Sequence, residues 1–223
     1  MLASDGREVL LWAFEPAVIE EINKITKGEA VVSTGVGQHQ MWAAQYYRFR
    51  HLRSWCTSGG LGTMGYGLPA AIGAQCGNPD DLVIDIAGDA SIQMNIQELG
   101  TATQFRLPVK VFILNNEWMG MVRQWQELTY ESRYSESYSD SLPDFVKLAE
   151  AYGWKGIRIE SEDQLDAGIQ AMIDHPGPVF VDCLVAKEVN CYPMIPSGAA
   201  HTDMILYGDT VSGTMDDAAK ALV

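Results

Sequence analysis

Strand-like and helix-like segments alternate along almost the whole of this 223-residue chain, and that alternation restricts the fold more than any other feature. The runs LVIDIA at 82–87 and VKVFIL at 109–114 are apolar nearly throughout instead of at every second position. Strands covered on both faces read this way. Between such runs lie apolar residues at helical spacing. Val18, Ile22 and Ile25 follow Pro16, and Phe145, Leu148, Ala149 and Tyr152 follow Pro143. Leu165, Ile169, Met172 and Ile173 follow Ser161 and Gln164, which have capping-box spacing. Further strands are read at 30–33, 154–159 and 179–185. The succession predicts an α/β fold, a doubly wound and mostly parallel sheet with helices on both faces. We place an N-terminal segment and lead-in helix at 1–28, the α/β domain at 29–187, and a tail at 188–223, where Pro193, Pro196 and Gly198 end the alternation.

A hydrophobic fraction of 47% with 20% charged residues fits an ordinary globular chain. The formal net charge of -14 argues against nucleic acid or an anionic membrane as partner. A phosphorylated ligand stays open, because a local metal and backbone amides hold phosphate whatever the global charge. No stretch is long and apolar enough to span a bilayer, and the first residues do not read as a signal peptide. Cys56, Cys76, Cys183 and Cys191 are scattered without a CxxC pair, as expected of reduced thiols.

The ends of the apolar runs carry the chemistry. One stops at Gly88-Asp89-Ala90 and the other at Asn115-Asn116. Neighbouring strands of a parallel sheet end side by side, so the Asp89 carboxylate and the Asn116 amide oxygen can meet on a hard cation such as Mg2+ that bridges to phosphates. Alone, Asp89 is equally a helix N-cap and Asn116 a turn residue. A third strand runs into Gly35-Val36-Gly37-Gln38-His39-Gln40, whose amides and following helix suit an anion. It lacks the third glycine of a dinucleotide fingerprint. Five glycines between Gly59 and Gly67 are interleaved with Leu61, Met64 and Tyr66, a pattern that suits a shaped wall better than a linker. Met121 and Trp125 share a helix face at i,i+4 spacing; core packing and a site wall remain equal readings of that pair.

Taken together, these motifs resemble the signature of thiamine diphosphate enzymes, GDG followed at a fixed interval by NN, with Ala90 in place of the third glycine. The segments at 35–44, 58–69 and 120–126 narrow the resemblance to the acetolactate synthase (acetohydroxyacid synthase) catalytic large-subunit family, over residues 16–206. The resemblance implies that the Asp89 and Asn116 side chains and the Trp118 carbonyl hold Mg2+. It implies that Gly37, Gln38, His39, Gly88, Ala90 and Ser91 surround the diphosphate, and that Gly62 and Met64 lie under the bent cofactor. It places Met121 and Trp125 on the substrate channel.

The implied reaction condenses pyruvate with pyruvate or 2-oxobutanoate through hydroxyethyl-thiamine diphosphate, toward branched-chain amino acids. Also implied are a glutamate from a pyrimidine-binding domain of the same or another chain, FAD in the complete enzyme, a homodimer and a regulatory small subunit. The family's compartment is the bacterial cytoplasm, or a plastid or mitochondrion in a eukaryote. No stretch of this sequence resembles the pyrimidine- or FAD-binding domains. The chain is therefore expected to be the C-terminal, diphosphate-binding portion, as a fragment or one gene of a split enzyme, and alone to bind Mg2+-thiamine diphosphate weakly and catalyse little. The competing readings are another thiamine-dependent 2-oxo acid decarboxylase or oxidase, and a non-catalytic cofactor-binding module. A nicotinamide dehydrogenase fares worst, for want of the fingerprint.

Overall fold

The computed structural model describes residues 15–196 and 198–208; the reading of the first residues, and the tail beyond 208, lie outside them. Elements follow in the order α1 (Glu15–Thr26), β1 (Val31–Thr34), α2 (Gln38–Tyr46), β2 (Trp55–Cys56), α3 (Gly67–Gly77) and β3 (Val83–Gly88). Then come α4 (Asp89–Gln93), α5 (Glu98–Gln104), β4 (Lys110–Asn115), α6 (Gly120–Thr129), α7 (Phe145–Ala151), β5 (Lys155–Ile159), α8 (Glu162–Asp174) and β6 (Val179–Leu184). The six strands form one sheet in the order β2-β1-β3-β4-β6-β5, and every pairing is parallel. The doubly wound α/β fold expected from the alternation is the fold observed.

The two faces have separate cores. Ile84, Ile86, Phe112 and Leu114 point to the side of α1, α2 and α8, where Val18, Ile22, Trp42, Ile169 and Met172 meet them. Val83, Ala87, Val111 and Ile113 point to the side of α3, α5 and α7, against Leu68, Ala71, Leu99 and Phe145. Each such fully buried aliphatic or aromatic side chain contributes about 1.5–3 kcal/mol, which is why the central strands admit so few polar residues. Lys110 is one exception, and its ammonium donates to the carbonyls of His175 and Gly177, both at 2.6 Å.

Local differences from the sequence reading have physical causes. Ser161 does cap α8, but its side chain makes no capping bond, and Gln164 Oε1 accepts from the Glu160 amide instead, at 2.8 Å. The capping box is therefore not formed. The helix carrying Met121 and Trp125 begins only at Gly120, because Asn115 and Asn116 first close a turn described below. Strand β2 and helices α4 and α5 were not anticipated. They are two, five and seven residues long, too short for periodicity to register. The tail contributes to the core, with Cys191 fully buried on the α1/α2 side. Among the described residues, no helix is long and apolar enough to cross a membrane.

Candidate functional site

The strand order places a site before any side chain is considered. From β1 the chain steps to β2 on one side and then returns to β3 on the other. The carboxyl ends of β1 and β3 therefore diverge into loops on opposite faces, leaving a crevice of the kind where open α/β sheets bind ligands. A cleft of about 280 Å³ lies there. It is lined by Gly37, Gln38 and His39 after β1, Gly62 and Met64 from the glycine loop, and Gly88, Asp89, Ala90 and Ser91 after β3. Asn116 and Trp118 after β4 and Met121 on α6 complete the wall. Trp125 is the exception among the residues singled out from sequence. It lies one turn beyond Met121, half-buried, outside this cleft.

Close approach explains the glycines. The His39 ring lies in a slot between strand-end loops: a Cβ on Gly35 would stand 2.8 Å from its Nε2, and one on Gly88 2.7 Å from its Nδ1. Gly62 has φ +66° and lines the cleft, a left-handed conformation that costs other residues about 1–2 kcal/mol. Ser91 ties the two glycine-bearing loops together, its hydroxyl accepting from the amides of Val36 and Gly65, each at 3.1 Å. That staple gives Ser91 a side-chain role that the sequence did not reveal.

The loop carrying Asn116 is pinned twice. Asn116 Oδ1 accepts from the Trp118 amide at 3.1 Å, and Asn115 Oδ1 from the Glu117 amide at 3.3 Å. Asn115 Nδ2 in turn donates to the buried Asp182 carboxylate at 2.9 Å, which Arg158 pairs at 3.1 Å. Glu117 takes φ +62°, held in that uncommon region by its carbonyl accepting the Ser139 amide at 2.8 Å.

Charge in the cleft is unusual. Asp89 is 1% exposed, yet neither carboxylate oxygen has a hydrogen-bond partner. Burial pushes its carboxyl up to about 7, the backbone of Asp89 and Asn116 opposes this, and the charges of Asp182 and Glu117 add to the rise. Burial likewise drives the His39 imidazole down to about 3, opposed by the Gly35 backbone, so the ring is neutral at pH 7. Its Nε2 is also without a partner. A buried polar group left bare costs about 1–3 kcal/mol, so two such groups around one cleft mark a place built for something else to fill.

The donor set fits a phosphate-bridging cation. Among the described residues, no three His, Cys, Asp or Glu side chains converge on a metal. One carboxylate with an amide oxygen and a nearby carbonyl is instead the sparse, all-oxygen provision on which Mg2+ relies when substrate phosphates complete its shell.

Comparison with known proteins agrees with this geometry. The chain is 53% identical to the acetolactate synthase large subunit of Cyanidium caldarium over 189 residues, 84% of this chain and 32% of that protein. It is 50% identical to the acetolactate synthase large subunit of Haemophilus influenzae over 190 residues, 85% of this chain and 33% of that one. With acetolactate synthase 2, chloroplastic, of Nicotiana tabacum the identity is 49% over 198 residues, 86% of this chain and 30% of the relative. The chain thus spans about a third of the length of the curated relatives it matches. The family model of the thiamine pyrophosphate enzyme C-terminal TPP binding domain matches residues 35–183, a span containing every cleft residue described above, and the chain belongs to that family.

Proposed function

We propose that this chain is the diphosphate-binding portion of an acetolactate synthase large subunit, and that the cleft takes Mg2+ and thiamine diphosphate. The observation that carries the reading is Asp89, a buried carboxylate with both oxygens bare that lines one cleft with Asn116 and His39. Identities near 50% to acetolactate synthase large subunits over more than four-fifths of the chain support the specific enzyme. Thiamine diphosphate, when bound, supplies the electron sink for decarboxylating a 2-oxo acid.

The chain's own residues hold the phosphate end. Asp89, Asn116 and the Trp118 carbonyl bind the cation, and the neutral His39 donates from its ring or accepts, according to tautomer, without adding charge. Gly62 lets the backbone pass beneath the ligand, and Met64 presses against it from the loop. Met121 walls the substrate side and excludes water there, and Trp125 extends that wall once the neighbouring domain is in place. A pyrimidine-binding domain on the same or another chain brings the glutamate for the other end of the cofactor. Pyruvate and 2-oxobutanoate are the substrates, FAD belongs to the complete enzyme, and the complete enzyme is a homodimer.

The test is a titration of the purified chain with thiamine diphosphate and Mg2+, read by intrinsic fluorescence, for which Trp118 in the cleft wall is the reporter. Saturable quenching is expected, and its absence sinks the cofactor assignment. Mixing the chain with pyrimidine- and FAD-binding domains of an acetolactate synthase large subunit then separates reactions: acetolactate from pyruvate supports the synthase, whereas free aldehyde as the main product points to a decarboxylase.

A further inference from the structure

A chain of side-chain amides runs from residues 189–191 of the tail to the edge of the cleft. Cys191 donates its amide to Gln124 Oε1 at 2.7 Å and accepts from Gln124 Nε2 at 3.0 Å. Gln38 Nε2 donates to Gln124 Oε1 at 3.0 Å and to the Val189 carbonyl at 2.8 Å. Asn116 Nδ2 donates to Gln38 Oε1 at 3.4 Å. All the side chains are buried, Gln124 at 0%, Gln38 at 3% and Asn116 at 6% exposed. The space they need exists because residue 120 is glycine, where a Cβ would stand 2.0 Å from Gln38 Oε1.

The direction of this relay is forced from its far end. A backbone N–H only donates and a carbonyl only accepts, so Cys191 dictates which end of the Gln124 amide faces which group. The Val189 carbonyl and Gln124 Oε1 are both acceptors, so Gln38 must turn its NH2 toward them and its oxygen toward Asn116. Asn116 must then present its NH2 to Gln38, which leaves its oxygen facing the Trp118 amide and the cleft. Both donor hydrogens of Gln38 are thereby engaged within the protein. The two orientations of an Asn side chain differ little in shape, and the Trp118 amide, itself a donor at 3.1 Å, demands the same one that the relay does.

We propose that Gln124 is a positioning residue that, through Gln38, holds the NH2 end of Asn116 while the Trp118 amide holds the other, and so keeps the Asn116 oxygen aimed at the cation. The consequence for metal binding rests on the reading of the cleft given above; the orientation itself does not. It adds a second role to the diphosphate contact that resemblance implied for Gln38, which lines the cleft and is also the middle link of the relay.

The experiment uses the 15N-labelled chain as it stands, with Gln124→Met, which keeps length without an amide. A second variant, Gln124→Glu, keeps the acceptors for Cys191 and Gln38. Without any ligand, exchange of the Asn116 side-chain NH2 with water is expected to quicken about tenfold in Q124M and to stay slow in Q124E. With thiamine diphosphate present, Mn2+ affinity read by water proton relaxation is expected to fall about tenfold in Q124M. Unchanged Asn116 exchange in Q124M, even with a lowered melting temperature, overturns the relay. Should Q124M not fold, lost Asn116 protection in Q124E overturns it equally. Failure of the unaltered chain to take up Mn2+ with thiamine diphosphate sinks the cofactor reading instead, and the exchange data still decide the relay.

Discussion

Asp85 offers a test of the electrostatics beneath the cleft. It lies on β3 paired with Ser33 of β1, fully buried on the α3 side, and a Cβ on Gly67 would come within 2.2 Å of its Oδ1. Ser33 Oγ is 3.0 Å from the Gly67 carbonyl and 3.3 Å from Asp85 Oδ1, but a hydroxyl has one hydrogen to give. If Ser33 serves the carbonyl, Asp85 is best accommodated as a neutral acid. Burial pushes its carboxyl from the ordinary 3.8 up to about 8, with the Ser33 hydroxyl opposing.

The sign follows from linkage. A folded-state pKa above the unfolded one means that folding holds a proton which the unfolded chain releases. Stability is then unpenalised below about pH 4 and falls as pH rises toward 8, by at most about 1.4 kcal/mol per unit. Asp85→Asn removes the titration while keeping shape and an oxygen for Ser33. Urea unfolding of both proteins from pH 4 to pH 8 is the assay. Glu15 and Asp89, whose carboxyls are also pushed up by burial, cancel in the difference. The variant should match the parent near pH 4 and exceed it by about 4 kcal/mol at pH 7. A difference that does not change with pH would falsify the assignment of a neutral Asp85.

Two further outcomes follow from the same geometry. Asp89→Asn should raise the melting temperature of the ligand-free chain at pH 8, because a buried bare carboxylate is gone. The same change should abolish stabilisation by Mg2+ with thiamine diphosphate, worth about 2.7 kcal/mol at a hundredfold excess over Kd in the parent; retained ligand stabilisation would remove Asp89 from the cation shell. Gly88→Ala, whose Cβ meets His39 Nδ1 at 2.7 Å, should cost about 1–3 kcal/mol by overpacking. Adding His39→Ala should recover part of that loss in a double-mutant cycle, and strict additivity would show that the slot argument is wrong.

Much of this was legible in the sequence, for identifiable reasons. The central strands are apolar on both faces, so runs at 82–87 and 109–114 announced themselves. Parallel register then brought Asp89 and Asn116 to one edge, because Gly88 pairs with Leu114. What escaped was carried by contacts remote in sequence. Gln124 meets Cys191 67 positions away, and no local pattern marks a mid-helix glutamine as a partner of the tail. The Ser91 staple is of the same kind, joining residue 91 to residues 36 and 65. Trp125 is a different case: helical spacing groups it with Met121, but α6 passes the cleft wall of this chain within a single turn, and Trp125 lies beyond it.

The charge inventory of the cleft leads to a last prediction. Among the described residues lining it there is no Lys or Arg, and Asp89 is the one acidic side chain. His39 is held neutral by burial. The protein as a whole carries a formal charge of -14, so the far field does not help an anion either. A diphosphate entering alone would meet a carboxylate in a low-dielectric slot, where like charges repel more strongly than in water. Helix-terminal amides add only partial positive charge, typically worth about 0.3–1 kcal/mol at a surface. The cation must therefore come with the phosphate or before it, and it removes two penalties at once, the bare Asp89 carboxylate and the repulsion. Thiamine diphosphate is thus expected to show no saturable binding in the presence of EDTA and to regain it on adding Mg2+, by calorimetry at constant ionic strength. Equal affinity with and without a divalent cation would mean that the phosphates are held by backbone amides and His39 alone, and that Asp89 is bare for some other reason.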